Sequence, residues 1–321
     1  MRRIFVGAGI VFACLLFTFL NVGQCFSIAT KRIVVLNTDI AEVIQALGGE
    51  NYVVGVCDGL AQQKDFFIKL KDKESVGKWD NPDYEKIISL RPDYVIAYGK
   101  WPGNELEEKL NPLGIKVLRI DCYFIDKLDK DIRKIGKLLN KKKEAEEYIK
   151  FYKKYLELIK NRTKNLKRKV KVYGEAYSDY TTNNKKTGHH QMITLAGGIN
   201  IAENEKVAFP KIDAEWIIKK NPEVIVKPIS FLENFEIEKI ENVRKSIKNR
   251  PGFNLIKAIK KDRVYLISSE IYTGPRVFIG ILHYAKWFYP ELFKDINPEE
   301  IHKKLLKKFH NIKLKGVYAY P

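Results

Sequence analysis

The sequence predicts an α/β protein of two lobes, each built on a mainly parallel sheet flanked by helices. Three observations carry this. Strand-like and helix-like runs alternate on both sides of the middle of the chain. A proline-free, lysine-rich stretch with helical spacing separates the two alternating halves. One unit, E-x-I-I-x-x-x-P-[DE]-x-[VI]-[IV], is written twice, from Glu85 to Pro92 and from Glu215 to Pro222. Strands alternating with crossover helices imply parallel pairing.

In chain order, "RIVVL" reads as a strand ending at Asn37-Thr38-Asp39, three good helix caps, and "IAEVIQAL" as a helix stopped by Gly48-Gly49. "YVVGV" is the next strand, "PDYEKIISL" a helix ended by Pro92, and "YVIAY" the strand after it. "GNELEEKLNPLG" and "IKVLRI" complete the first half. Apolar residues at Ile132, Ile135, Leu138, Leu139, Ile149, Tyr152, Tyr155, Leu156 and Ile159 then predict one amphipathic helix across the middle. "VKVYGEA" restarts the alternation, and "ITLAGGINIA" echoes the earlier "IQALGGENYV". "AEWIIKKN", "EVIVKP", "IKAIKKDRVYLIS" and "FIGILHYAKWFYPELF" form the second set. The expected division is 1–29 leader or anchor, 30–126 first lobe, 127–169 connecting helix, and 170–321 second lobe with terminal helices.

A chain of 321 residues with 45% hydrophobic and 12% aromatic content can bury a core in each lobe. Arg2 and Arg3 precede the apolar run from Ile4 to Leu20, and small residues such as Gly23, Ser27 and Ala29 follow. That order describes an export signal, cleaved around Gln24–Thr30 or kept as an anchor. Neither Cys14 nor Cys25 sits in a good lipid-attachment context. Loss of Arg2 and Arg3 would take the net charge from +19 to +17. Such charge reads as a solvated lysine surface, or as attraction to anionic headgroups or ligands. No nucleic-acid recognition signature accompanies it. Cys57 and Cys122 end strands roughly 14 Å apart in a 2-1-3-4 strand order, too far for a disulfide, so free thiols are expected. Asn161 opens a glycosylation sequon, Asn161-Arg162-Thr163, on the lysine-rich helix.

Four segments in order, "RIVVLNTDIAEVIQALGGENYVVGV", "NPDYEKIISLRPDYVIA", the long middle helix and "MITLAGGINIAE…FPKIDAEWIIKKNPEVIV", resemble the substrate-binding proteins of ABC importers for iron–siderophore, haem and cobalamin. The resemblance spans nearly all of the chain after the leader. It implies two lobes joined by one rigid helix, a ligand cleft between them, and no catalysis or resident cofactor. It also implies an extracytoplasmic monomer, soluble or membrane-anchored, that delivers its ligand to a permease dimer with ATPase subunits. By motif match, Glu85 and Glu215 would meet arginines of that permease. Each lies in a first helical turn, where a carboxylate also serves as an N-terminal charge with no partner needed.

In an open α/β sheet, ligands meet the loops at the carboxyl ends of the strands. In the first lobe these are 37–39, 57–67, 99–101 and 122–124; in the second, 177–190, 227–230 and 270–276. The ligand candidates are Trp79, Trp101, Tyr123, Tyr177, Tyr180, His189, Tyr272 and Arg276. Aromatic faces suit a large planar or chelate ligand, and arginine suits carboxylates or phenolates. Gly274 and Pro275 fix a turn before Arg276, which then either meets ligand or ties its own loop to the core. A bare metal ion would need about three histidines and a carboxylate converging; His189 and His190 are adjacent, and His283, His302 and His310 fall in C-terminal helices. His189 could instead complete the coordination of haem or an iron chelate. A basic cleft is expected to favour an anionic iron–siderophore, with cobalamin, haem or a molybdate/tungstate oxyanion as alternatives. The competing class is an exported enzyme with an inter-lobe active site, though the chain has no P-loop, H-E-x-x-H or G-x-S-x-G motif.

Overall fold

The computed structural model describes residues 31–230 and 234–321; the leader, with Cys14 and Cys25, lies outside them. The first sheet contains β1 (Ile33–Val35), β2 (Val53–Val56), β3 (Glu74–Ser75), β4 (Tyr94–Ala97) and β5 (Lys116–Arg119). All its pairs are parallel, in the order β3-β2-β1-β4-β5. Helices α1 (Thr38–Ala46), α2 (Tyr84–Ser89) and α3 (Glu105–Leu110) make its crossovers, and α4 (Leu128–Leu138) and α5 (Lys142–Thr163) lead away. The second sheet contains β6 (Lys171–Gly174), β7 (Ile199–Asn200), β8 (Val224–Ile229), β9 (Val264–Ser268) and β10 (Ala319–Tyr320). Its order is β10-β9-β8-β6-β7, parallel except for the antiparallel edge strand β10. Its helices are α6 (Gly188–Leu195), α7 (Ala214–Lys220), α8 (Ile237–Lys248), α9 (Lys257–Lys260), α10 (Ser269–Tyr272), α11 (Val277–Phe288) and α12 (Pro298–Leu305).

The α/β class is as the sequence predicts, but the single helix over 127–169 is two. Asn140 adopts φ 57° after α4. The Lys141 amide then donates to Gly136 O at 2.7 Å and the Asn140 amide to Lys137 O at 3.3 Å. This is a left-handed helix stop, made by asparagine where glycine is the commoner signal. Only α5, 22 residues and about 33 Å long, runs on to the second sheet. Helix α8 and the 3-10 segment Asp58–Gln63 were not anticipated either.

The repeated sequence features become repeated structure. Gly48 and Gly197 take φ 67° and 86°. The following amides, Gly49 and Gly198, bond back to Ile44 O and Ile193 O at 2.9 and 2.8 Å. In the E-x-I-I units, Asp83 and Asp213 cap the helices through the Lys86 and Trp216 amides, at 3.0 and 2.7 Å. Ile87 and Ile217 are the buried anchors, and Arg91 and Asn221 turn the chain at φ 46° and 47° before each proline.

Alternate residues of each strand enter different cores, as a pleated sheet requires. Val34 and Val95 pack with Ile87 and Leu106 on one face of the first sheet; Ile225 and Leu266 pack with Ile217 and Ile240 on one face of the second. The remaining faces share a single core. It runs from Ile33 and Val35 through Tyr148 and Tyr152 of α5 to Phe278 and Leu282 of α11, Val172 and Val226. Helix α11 is the tightest member: a Cβ on Gly280 would lie 2.1 Å from Ile271 O and 2.7 Å from Met192 Cε. Gly280→Ala must therefore displace backbone, and an overpacking loss of about 3 kcal/mol is expected in urea unfolding. A loss near zero would show that α11 moves freely against α10.

Candidate functional site

The carboxyl ends of both sheets meet over a cavity of 220 Å³. Thr38, Asp39, Glu42 and Phe67 line it from the first lobe, and Ser230, Glu270, Thr273 and Arg276 from the second. Asn37 starts α1 here by accepting the Ile40 amide at 2.7 Å, which sets Asp39 and Glu42 along one side of its first turns. Across the gap, Arg276 is almost fully buried, and its Nε donates to Glu42 Oε1 and Oε2 at 3.0 and 3.1 Å. The guanidinium also lies over the Phe66 ring at 4.4 Å, and the Tyr148 hydroxyl of α5 donates to Pro275 O at 3.3 Å. First lobe, second lobe and connecting helix thus converge on one ion pair.

Burial pushes the Glu42 carboxyl up to about 7 against the opposing pull of Arg276, and pushes Asp39 up to about 6. Tyr98 holds Asp39 with a 3.0 Å hydrogen bond. Glu270 accepts hydrogen bonds from the Ser268 and Ser269 hydroxyls. Three carboxylates therefore face one arginine on the floor. The basic cleft expected from composition is not what this floor presents. The lysine excess sits elsewhere, as on the outer face of α5, where Lys142, Lys143, Lys150, Lys153, Lys154 and Lys160 are exposed. Lys227, in a predicted cleft loop, is buried and bonded to Glu175 and Asp179 at 3.0 and 2.9 Å.

Above the floor stand aromatic walls. On the first lobe, Trp79 meets Tyr98 and Trp101 edge-on, at centroid distances of 5.6 and 6.3 Å. Trp79 and Trp101 are 40% and 57% exposed, high values for indoles not already used in packing. Arg119 fixes the Trp101 loop: it donates to the carbonyls of Tyr98, Trp101, Pro102 and Gly103 at 2.7–3.0 Å and pairs with Glu107 at 2.5 Å. On the second lobe, Tyr177 packs edge-on against Tyr272 at 5.8 Å. Tyr123 bridges towards that side, its ring covering the Gly188 backbone.

The remaining predicted residues sit behind these walls. His189 is buried, with Nδ1 on Asn183 at 3.0 Å and Nε2 on the Tyr284 hydroxyl at 2.9 Å. Burial lowers its pKa to about 3, so it is a neutral prop beneath Tyr272, 4.8 Å away. His189 and His190 open helix α6 rather than a loop. Tyr180 lies under Arg250, 4.6 Å from its guanidinium. Its amide donates to Glu175 at 2.8 Å, inside the buried set Glu175, Lys227 and Arg250 that pins the Tyr177 loop. Arg119 and Glu175 at strand ends and Arg250 after α8 escaped the sequence reading because a single charge at such a place has no local signature. Glu107, however, stands twelve residues before Arg119 on the adjoining helix.

Glu85 and Glu215 are exposed and carry no ion pair or side-chain hydrogen bond among the described residues. The caps they could have supplied come from Asp83 and Asp213. Cys57 and Cys122 are free and buried. Among the described residues, no group of three His, Cys, Asp or Glu side chains could hold a metal ion, and no helix is long and apolar enough to cross a membrane.

With this geometry in place, comparison with known proteins is informative. The family model described as periplasmic binding protein matches residues 33–271. An uncharacterized ABC transporter substrate-binding lipoprotein of Bacillus subtilis, YvrC, is 30% identical over 276 residues, 83% of this chain and 82% of its own. The vitamin B12-binding protein of Salmonella typhi is 26% identical over 173 residues, 52% of this chain and 63% of its own. The molybdate-bound periplasmic protein MolA of Haemophilus influenzae superposes with a TM-score of 0.75 at 21% identity, covering 89% of this chain and 94% of its own.

The Glu42–Arg276 pair yields a double-mutant test. Arg276→Ala leaves a buried carboxylate unpaired and is expected to cost about 3–5 kcal/mol. Replacing both residues with methionine removes both charges and is expected to cost far less, because a packed apolar pair often equals a buried ion pair. Urea unfolding of the two variants decides it; equal losses would mean that the pair does not act as a unit.

Proposed function

The chain belongs to the periplasmic binding protein family, as the substrate-binding component of an ABC importer, and we propose that its cargo is a large metal chelate held between the aromatic walls, a corrinoid before a siderophore. The observation that carries this reading is the pairing of exposed indole and phenol faces with a carboxylate-rich floor. Stacking surfaces suit an extended ring system. A floor of Asp39, Glu42 and Glu270 against a single, already paired Arg276 disfavours a polyanion, which would bring like charge into a poorly solvated place. The expectation of an anionic iron–siderophore rested on a basic cleft, so the order of ligands changes with the floor. The vitamin B12-binding relative supports the same choice. In this reading Trp79, Trp101, Tyr123 and Tyr177 touch the ligand, while Tyr180, His189, Arg276 and Tyr272, which is buried rather than exposed to the cleft, hold those surfaces in place. The protein works on the extracytoplasmic face of the membrane, exported by its leader.

Tryptophan fluorescence titration with cyanocobalamin, haemin, a ferric siderophore and molybdate tests the assignment. Saturable quenching by cyanocobalamin is expected, with affinity at least tenfold lower after Trp79→Ala with Trp101→Ala. Binding only by the siderophore or molybdate would overturn the corrinoid reading, and binding by none would overturn the cargo class.

We further infer that Glu85 and Glu215 are the two contacts with the permease dimer. Among the described residues both are exposed, unpaired and relieved of side-chain capping, so the first-turn charge is the one structural task left to each. Exposed charges of this kind guide and register an encounter more than they add affinity. Glu85→Lys with Glu215→Lys is expected to abolish permease binding while leaving ligand affinity and folding unchanged. Undiminished permease binding would reduce the repeat to shared architecture.

A further inference from the structure

A cavity larger than the floor of the cleft lies beside it. It encloses 520 Å³ between the first lobe's segment 61–68 and the second lobe's C-terminal stretch 306–318. It shares Gln63, Glu270 and Arg276 with the floor cavity, and none of the wall residues Trp79, Tyr98, Trp101, Tyr123, Tyr177 or Tyr272 lines it. Its size is that of a site for a small organic molecule.

The lining is amphipathic in a specific way. Phe66, Ile68, Leu306 and Ile312 supply an apolar wall, and Ile68 is left 53% exposed. Lys64, Lys313, Lys315 and Arg276 supply positive charge. Lys315 is answered by Asp65 at 3.2 Å, but among the described residues neither Lys64 nor Lys313 has an acidic partner. Arg276, although buried, leaves Nη1 without a hydrogen-bond partner, and a buried donor without an acceptor is costly to leave so. Glu270 is the other acid in the lining, and it is engaged by the Ser268 and Ser269 hydroxyls. Unanswered cations beside an uncovered apolar wall ask for one kind of occupant: an apolar body ending in a carboxylate.

We propose that this cavity is a second ligand site, for an amphipathic carboxylate, adjoining the floor of the cargo cleft and away from its aromatic walls. An occupant touches segment 61–68 on one side and 306–318 on the other, so it ties the lobes together beyond the Glu42–Arg276 pair. The site is read from its own lining and stands or falls independently of the cargo.

Calorimetric titration of the purified protein with octanoate, and separately with 1-octanol, tests it. Saturable one-to-one binding of octanoate is expected, with octanol at least tenfold weaker. Lys313→Glu and Ile68→Asp change exposed side chains and are expected to fold normally by circular dichroism. Each should weaken octanoate at least tenfold, and Lys313→Glu should also remove the preference for octanoate over octanol. Cyanocobalamin titrated into the same variants is expected to behave as in the unaltered protein, so a wrong cargo is seen separately from a wrong second site. Absence of saturable octanoate binding, equal binding of octanol, or undiminished binding by both variants would overturn the proposal.

Discussion

The architecture turns on the contact between Glu42 and Arg276. Both side chains are almost fully buried, so either charge is costly without the other. The pair joins α1 of the first lobe to the loop before α11 of the second, and the Tyr148 hydroxyl of α5 reaches the same loop. A pair of this kind adds little net stability compared with apolar residues of the same volume, but it permits few alternatives. If the lobes separated at this point, two uncompensated charges would remain. The cleft floor therefore has one geometry, and Asp39 and Glu270 are held beside it.

The shared core enforces the same constraint. Inner-face residues of both sheets, α5 and α11 pack as one apolar body. Relative motion of the lobes would have to open packed surface, so the site is largely preformed. Its aromatic walls are fixed from behind by polar groups: Arg119 gathers four carbonyls of the Trp101 loop, and Glu175 with Lys227 and Arg250 gathers the Tyr177 loop. Exposed aromatic side chains on pinned loops lose little further freedom when a ligand arrives. Recognition by such walls depends on shape and ring area, whereas the acidic floor selects against charge of its own sign.

Much of this was legible before folding is considered. The double glycines, the aspartates before Glu85 and Glu215 and the prolines after each helix are local signals, and each does locally what its chemistry dictates. Where a local signal was weak, the reading slipped. Asn140 ends a helix by a left-handed turn, yet asparagine enters that conformation less often than glycine, so one helix was read across it. The candidate residues divide in the same manner. Trp79, Trp101, Tyr123 and Tyr177 lie on loops beyond strand ends, whereas Tyr272 is the buried last residue of α10. Tyr180 lies on such a loop too, but packing turns it inward, and His189 is buried in the first turn of α6.

By itself the sequence determined the fold class, the relative order of the four strands it predicts in the first sheet, and the duplicated double-glycine and E-x-I-I units. All of these depend on neighbours a few residues away or on the alternation of whole elements. Only the tertiary structure decided the sign of charge in the cleft, the burial of Arg276 and the props behind the aromatic walls. Glu42 and Arg276 are 234 residues apart, and no periodicity or motif relates positions at that distance. Composition counts a lysine on the outer face of α5 and a carboxylate on the cleft floor alike. Only the folded chain, by fixing which charges keep their water and which must find a partner, separates the surface from the site.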